Sequence, residues 1–163
     1  MKDLDGVYYI QNLKYGYIFA ADGDKDEDDH IVESRPSDDD INYEKFKFRI
    51  TKHPGDYYSI VNLKYGTMFA ASSTKDENDH YVEAGNVGDI AKSQWRIGYI
   101  NEDYPMLGMY IQNVKFNYMF AASSTKKGSD HVVETAPDSG ENELKLDKFK
   151  FRIVPVWYLI SYT

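Results

Sequence analysis

The stretch Asn62–Ala84 reads NLKYGTMFAASSTKDENDHYVEA, and the chain repeats it with variations twice more. NLKYGYIFAADGDKDEDDHIVES begins at Asn12 and NVKFNYMFAASSTKKGSDHVVET at Asn113, so the copies start 50 and 51 residues apart. Phe19, Phe69 and Phe120 each stand seven residues after the opening Asn. His30, His80 and His131 follow at eighteen, preceded by Asp29, Asp79 and Asp130, and Glu33, Glu83 and Glu134 follow at twenty-one. A register held to the residue over three copies marks an internal repeat. Each copy also has a matching tail: FKFRI ending at Ile50, QWRI ending at Ile97, and FKFRI ending at Ile153. Between His and tail the chain varies in length and is rich in Asp, Ser, Gly, Pro and Asn. The stretches Pro36–Tyr43 and Pro137–Leu146 therefore read as exposed loops.

Inside a copy the hydrophobic period is two. YYIQN, YIFAA, HIVES and FKFRI are short aromatic or β-branched runs bounded by turn residues, which gives four strands per copy and about twelve in all. The turn Lys14-Tyr15-Gly16 recurs as Lys64-Tyr65-Gly66 and as Lys115-Phe116-Asn117. Gly and Asn are the residues that best tolerate positive φ, so the spacing predicts one left-handed residue at the same place in each turn. No run has sustained helical periodicity, and a single helical turn at Asn142–Asp147 is the most the sequence offers. Alternation places Tyr9 or Tyr110, Ile10, Ile60, Ile111, Phe19, Phe69, Phe120, Val32, Val82, Val133, Phe48, Trp95 and Phe151 in the core. The ending PVWYLISYT, residues 155–163, reads as a closing strand beside the N-terminal strand, or else as a contact surface built on Trp157, Tyr158 and Tyr162.

The chain has 163 residues with 27 acidic and 19 basic side chains, net charge −8, and no cysteine. Disulfides, thiolate metal sites and cysteine nucleophiles are excluded. The acidic balance argues against nucleic acid and anionic membranes as partners, since both call for clustered Lys and Arg. Fifteen Tyr and eight Phe are too many for a disordered acidic tail. The opening MKDLDGVYYIQN has no apolar run and no segment is long enough to span a bilayer, so neither signal peptide nor membrane insertion is expected. The compartment stays open between cytoplasmic and secreted as a mature chain.

The candidate ligand-binding residues are the three sets Asp29-His30-Glu33, Asp79-His80-Glu83 and Asp130-His131-Glu134. Carboxylates that accept from hydroxyls, with imidazole alongside, suit a polyol. The alternative use of the same residues is to cap a hairpin turn, the commoner role for polar groups at strand ends. The run Asp22-Gly23-Asp24-Lys25-Asp26 with Glu33 at the twelfth place imitates a calcium loop, but Glu27 stands where Gly is needed and Asp29 where an apolar residue belongs. No metal or cofactor is assigned. Ser72-Ser73-Thr74 and Ser123-Ser124-Thr125 are plain turn sequences, His53 before Pro54 reads as a solvated loop histidine, and no catalytic constellation appears, so the chain reads as non-enzymatic.

The element Asn-x-x-Tyr-Gly-x-x-Phe-x-Ala, with Phe116-Asn117 in the third copy, and the aromatic tails resemble the β-trefoil superfamily, over Gly6 to Ile153. The resemblance implies an all-β fold: a six-stranded barrel plugged by three hairpins, in which three four-stranded repeats obey a pseudo-threefold axis. It implies a single domain over residues 1–163, with repeats at about 6–53, 54–103 and 104–154 and an extension at 155–163. Trefoils are mostly binding modules: ricin B-like and other lectins, Kunitz-type inhibitors and fascin-like proteins among them. The ricin-type pattern departs here, since Gln94 is followed directly by Trp95, and Ala20, Ala70 and Ala121 occupy the places of the usual sugar-binding Asp. The leading expectation is a lectin-like carbohydrate-binding module with up to three shallow sites. Its rival is a protein-interaction module or protease inhibitor using one exposed loop.

Overall fold

The computed structural model describes residues 4–26, 29–35, 43–76, 79–85, 89–127, 130–137 and 147–159. Of these, 22–26, 29–31, 33–35, 73–76, 79–81, 83–85, 122–127, 130–132, 134–137 and 158–159 are described by their backbone alone. The first copy supplies β1 (Gly6–Asn12), β2 (Ile18–Asp26), β3 (Asp29–Arg35) and β4 (Phe48–His53). The second supplies β5 (Tyr57–Asn62), β6 (Met68–Asp76), β7 (Asp79–Gly85) and β8 (Trp95–Tyr99). The third supplies β9 (Met109–Asn113), β10 (Tyr118–Lys127), β11 (Asp130–Pro137) and β12 (Phe151–Pro155).

Antiparallel pairing closes six of these strands into a barrel, in the order β1-β4-β5-β8-β9-β12 and back to β1. The remaining strands form the hairpins β2–β3, β6–β7 and β10–β11. The second strands of these hairpins pair in a ring of their own, β3 with β7, β7 with β11 and β11 with β3. Closing both rings leaves few unpaired strand edges to template aggregation.

The core sits where the barrel meets this cap. Ile10, Ile60 and Ile111 are completely buried, as are Phe19, Phe69 and Phe120 and the tail residues Phe48, Trp95 and Phe151. Their rings interlock: Trp95 and Phe120 have centroids 4.4 Å apart, Phe48 and Phe69 4.8 Å, and Phe19 and Phe151 5.3 Å. Each fully buried large side chain contributes about 1.5–3 kcal/mol relative to exposure. Trp95 replaces the Phe of the other two tails and carries an N–H into the core, which it donates to the Phe69 carbonyl at 3.0 Å. Of the two tyrosines considered for the core, Tyr9 is buried and Tyr110 half-buried.

The turn residues behave as their sequence requires: Gly16, Gly66 and Asn117 have φ of 72°, 67° and 60°. What the alternation does not reveal is the role of the opening Asn. Asn12, Asn62 and Asn113 are completely buried. In each turn the Asn Oδ1 accepts two backbone N–H groups, from Lys14 and Tyr15 at 3.0 and 3.2 Å, from Lys64 and Tyr65 at 3.0 and 3.2 Å, and from Lys115 and Phe116 at 3.1 Å each. The Nδ2 groups donate to the previous tail in the cycle: Asn12 to the Lys148 carbonyl at 3.0 Å, Asn62 to Lys45 at 2.8 Å and Asn113 to Lys92 at 2.8 Å. Lys45 and Lys92 lie in 3-10 turns at Glu44–Phe46 and Ile90–Ser93, and Lys148 in one at Asp147–Phe149.

Two expectations are corrected. Closure beside β1 is made by Phe151–Pro155, with Tyr8 opposite Pro155 as the last pair, and Val156–Leu159 turns into a four-residue helix. Proline has no N–H to carry the ladder further, which ends the strand there. The helical turn expected at Asn142–Asp147 falls, all but Asp147, outside the described residues; Asp147 itself begins a 3-10 turn at Asp147–Phe149. His53 ends β4 rather than lying in a solvated loop: its Nε2 is 2.8 Å from Ser59 Oγ, and its ring stacks on Tyr57 at 5.1 Å.

Replacing Asn62 by Ala strands two turn N–H groups and one carbonyl in a buried place. Urea unfolding of Asn62→Ala should show a loss of about 2–4 kcal/mol; a loss below about 1 kcal/mol would contradict the role given to this side chain.

Candidate functional site

The nine expected ligand residues all lie on the return strands of the cap hairpins. Asp29 is opposite Asp26 and His30 opposite Lys25; Asp79 is opposite Asp76 and His80 opposite Lys75; Asp130 is opposite Lys127 and His131 opposite Lys126. Each Asp-His pair therefore starts the strand just past the hairpin tip, beyond a register shift that falls after Ala21, Ala71 and Ala122. The three return strands then pair with a cyclic register. His30 faces Ala84, His80 faces Thr135 and His131 faces Ser34 along the backbone. In the same ladders Glu83 is opposite Ile31, Glu134 opposite Tyr81 and Glu33 opposite Val132. Val32, Val82 and Val133, each adjacent to a Glu, are buried in the core and anchor these strands. The fold thus gathers the three segments into one ring, while the side chains of the nine residues lie outside those described. Asp22–Asp26 belong to β2 and are followed by another strand, so the helix-flanked frame of the calcium-loop motif does not occur there.

A second feature escaped the sequence reading. Past the far end of the barrel strands, between the β4–β5 turn and the β8–β9 connection, lies an open cavity of about 440 Å³. Lys52, Asp56, Tyr58, Arg96, Glu102 and Tyr110 line it, together with Ile97 and Gly98. Lys52 Nζ lies 3.8 Å from Asp56 Oδ1. Asp56 has φ of 56° and follows Gly55 at 95°, a tight turn that leaves its carboxylate in solvent. Gly98 is opposite Tyr110 in the β8–β9 ladder, and a Cβ there would fall 2.7 Å from the Tyr110 hydroxyl. The missing side chain is what allows the Tyr110 ring to lie across β8. The available signal was a contrast between copies: the tail Arg recurs as Arg49, Arg96 and Arg152, but Gly98 stands where the other copies have Thr51 and Val154.

Among the described residues one carboxylate is clearly perturbed. Asp89 is held below the ordinary value of 3.8, first by its bond to the Lys115 ammonium and next by the backbone N–H of Ala91, which donates to Asp89 Oδ1 at 3.1 Å. Asp89 caps the 3-10 turn that Asn113 grips, and Lys115 lies in the turn that Asn113 organises, so the ion pair reinforces that junction.

No family model matches the chain and no curated protein matches it in sequence. Solved structures do. ThreeFoil, a designed 3-fold symmetric protein, is 14% identical, with a TM-score of 0.73 over 93% of this chain and all of that one. A salivary protein of the Cysteine and Tryptophan-Rich family from Culex is 23% identical, with a TM-score of 0.70 over 95% of this chain and 97% of that one. The BEL beta-trefoil is 12% identical, with a TM-score of 0.66 over 96% and 97%. At these identities the likeness shows the fold: an all-β trefoil. No helix among the described residues is long and apolar enough to cross a membrane.

Because the folded-state pKa of Asp89 is depressed, its stabilising contribution is present above 3.8 and disappears as pH falls through the lowered value. Carboxyl NMR titration should place the Asp89 midpoint below 3.8, and Lys115→Met should move it upward. A midpoint at or above 3.8, or one indifferent to Lys115→Met, would contradict the pairing.

Proposed function

We propose that this β-trefoil is a non-catalytic, lectin-like carbohydrate-binding module, a single domain of three four-stranded units about a pseudo-threefold axis. The reading is carried by the cyclic register that puts Asp29-His30-Glu33, Asp79-His80-Glu83 and Asp130-His131-Glu134 at matching positions around the cap. Three copies of one donor and acceptor set, one per hairpin, suit a glycan surface that offers the same epitope repeatedly. Sites that are weak singly then reach avidity gains of ~10²–10⁴ when the spacing matches. Carboxylates accept from sugar hydroxyls and imidazole both donates and accepts. The partners in this reading are glycans, with no cofactor required, and with neither nucleic acid nor membrane insertion involved.

Contact with a protein through one exposed loop is a second reading, favoured by a specific feature. The β8–β9 connection turns at Pro105–Leu107 and holds Tyr104, Met106 and Leu107 in solvent, 57%, 78% and 45% exposed. Large apolar side chains grouped on one short turn are the kind of surface a protein partner covers.

A glycan array probed with the wild type and with Asp29→Ala, Asp79→Ala and Asp130→Ala, singly and combined, separates these readings. The lectin reading expects avidity to fall with each substitution and to vanish in the triple variant. Binding unaffected by all three, or a blank array alongside a one-to-one protein complex abolished by Met106→Asp, would replace it.

A further inference from the structure

We propose that the cavity beyond the β4–β5 turn is a separate binding site for one neutral pyranoside. The inference takes its ligand class from the carbohydrate reading, but its location is independent of the cap residues. Four charged side chains line the cavity, Lys52 and Arg96 against Asp56 and Glu102, so the lining carries no net charge. A wall of one sign selects an ion; a balanced wall of donors and acceptors selects a ligand whose groups do both. Each sugar hydroxyl is one donor and an acceptor with two lone pairs, whereas Arg and Lys only donate and carboxylates only accept. A pyranose therefore satisfies both sets at once, and hydrogen bonds to charged groups are the stronger kind.

Lys52 and Asp56 already lie 3.8 Å apart. Arg96 and Glu102 are exposed and make no ion pair among the described residues, so both are available to a ligand. Apolar surface for a sugar ring comes from Tyr110, which is half-buried in the cavity lining, lies across Gly98 and packs against the Met119, Ala121 and Phe149 cluster. A ring held by its neighbours loses little freedom on binding. The volume of about 440 Å³ lies inside the ~300–1,000 Å³ range of small-ligand sites.

Amide NMR titration of the intact chain with methyl glucoside, galactoside, mannoside and N-acetylglucosaminide tests this. At least one glycoside should shift Gly98, Glu102 and Tyr110. Arg96→Gln and Glu102→Gln should each weaken that binding ~10-fold without moving the thermal midpoint, since both side chains are exposed. The shifts should persist when Asp29, Asp79 and Asp130 are all replaced by Ala. Glycoside shifts confined to 29–34, 79–84 and 130–135, and lost in that triple variant, would overturn the cavity site while leaving the lectin reading intact. Cavity shifts that survive with nothing at the cap would support the cavity and remove the cap as a sugar site. Movement of the cavity amides by a zwitterion such as glycylglycine, but by no glycoside, would overturn the ligand class.

Discussion

Three buried asparagine side chains hold this molecule in register. A primary amide taken out of water must find partners for two donors and an acceptor oxygen, and leaving any unmet costs about 1–3 kcal/mol. Asn12 meets the demand completely, with two turn N–H groups on its oxygen and the Lys148 and Lys150 carbonyls on its nitrogen, at 3.0 and 3.4 Å. The same side chain thus shapes the turn of its own copy and fastens it to the tail of another. Asn62 and Asn113 repeat the arrangement around the cycle. Backbone bonds follow the same path, from Leu13 to Lys150, Leu63 to Lys47 and Val114 to Gln94. Hydrophobic burial supplies most of the driving force, but it is non-directional; the asparagines give it a register.

That register is what positions both the cap ring and the cavity. The turns set where β2, β6 and β10 begin, and hence where each hairpin tip falls and which residues of β3, β7 and β11 face one another. At the other end the copies diverge. The Gly55-Asp56 turn, the Gly98 gap under Tyr110 and the long β8–β9 connection belong to particular copies, so the cavity breaks the threefold pattern that the cap keeps. Features built where the copies agree recur three times around the cap, and those built where the copies differ occur once.

The fold was legible because its signals are one-dimensional. Equal spacing of Asn, Phe and His, a period of two, and Gly or Asn at one turn position translate directly into strands, a buried face and positive φ. Phe19, Ile60, Val133 and Trp95 reached the core by parity alone. The cavity was illegible for the opposite reason: Lys52, Arg96, Glu102 and Tyr110 are brought together only by cross-strand pairing and by a connection between β8 and β9 with no repeat partner. Asn12 was visible as a landmark but not as a clamp, since its partner Lys148 is 136 residues away. The expected closing strand stops short at Val156–Leu159, because an aromatic run looks like a strand until Pro155 is set at the end of its ladder.

Native-state hydrogen exchange tests the central claim most directly. The amides of Lys14, Tyr15, Lys64, Tyr65, Lys115 and Phe116 donate to the buried asparagines, although they sit in short surface turns. If these clamps hold the barrel together, all six should exchange only through global unfolding, with the protection of Ile10, Ile60 and Ile111. Exchange orders of magnitude faster in the turns than at those isoleucines would show them fraying independently of the core, and the account would fail.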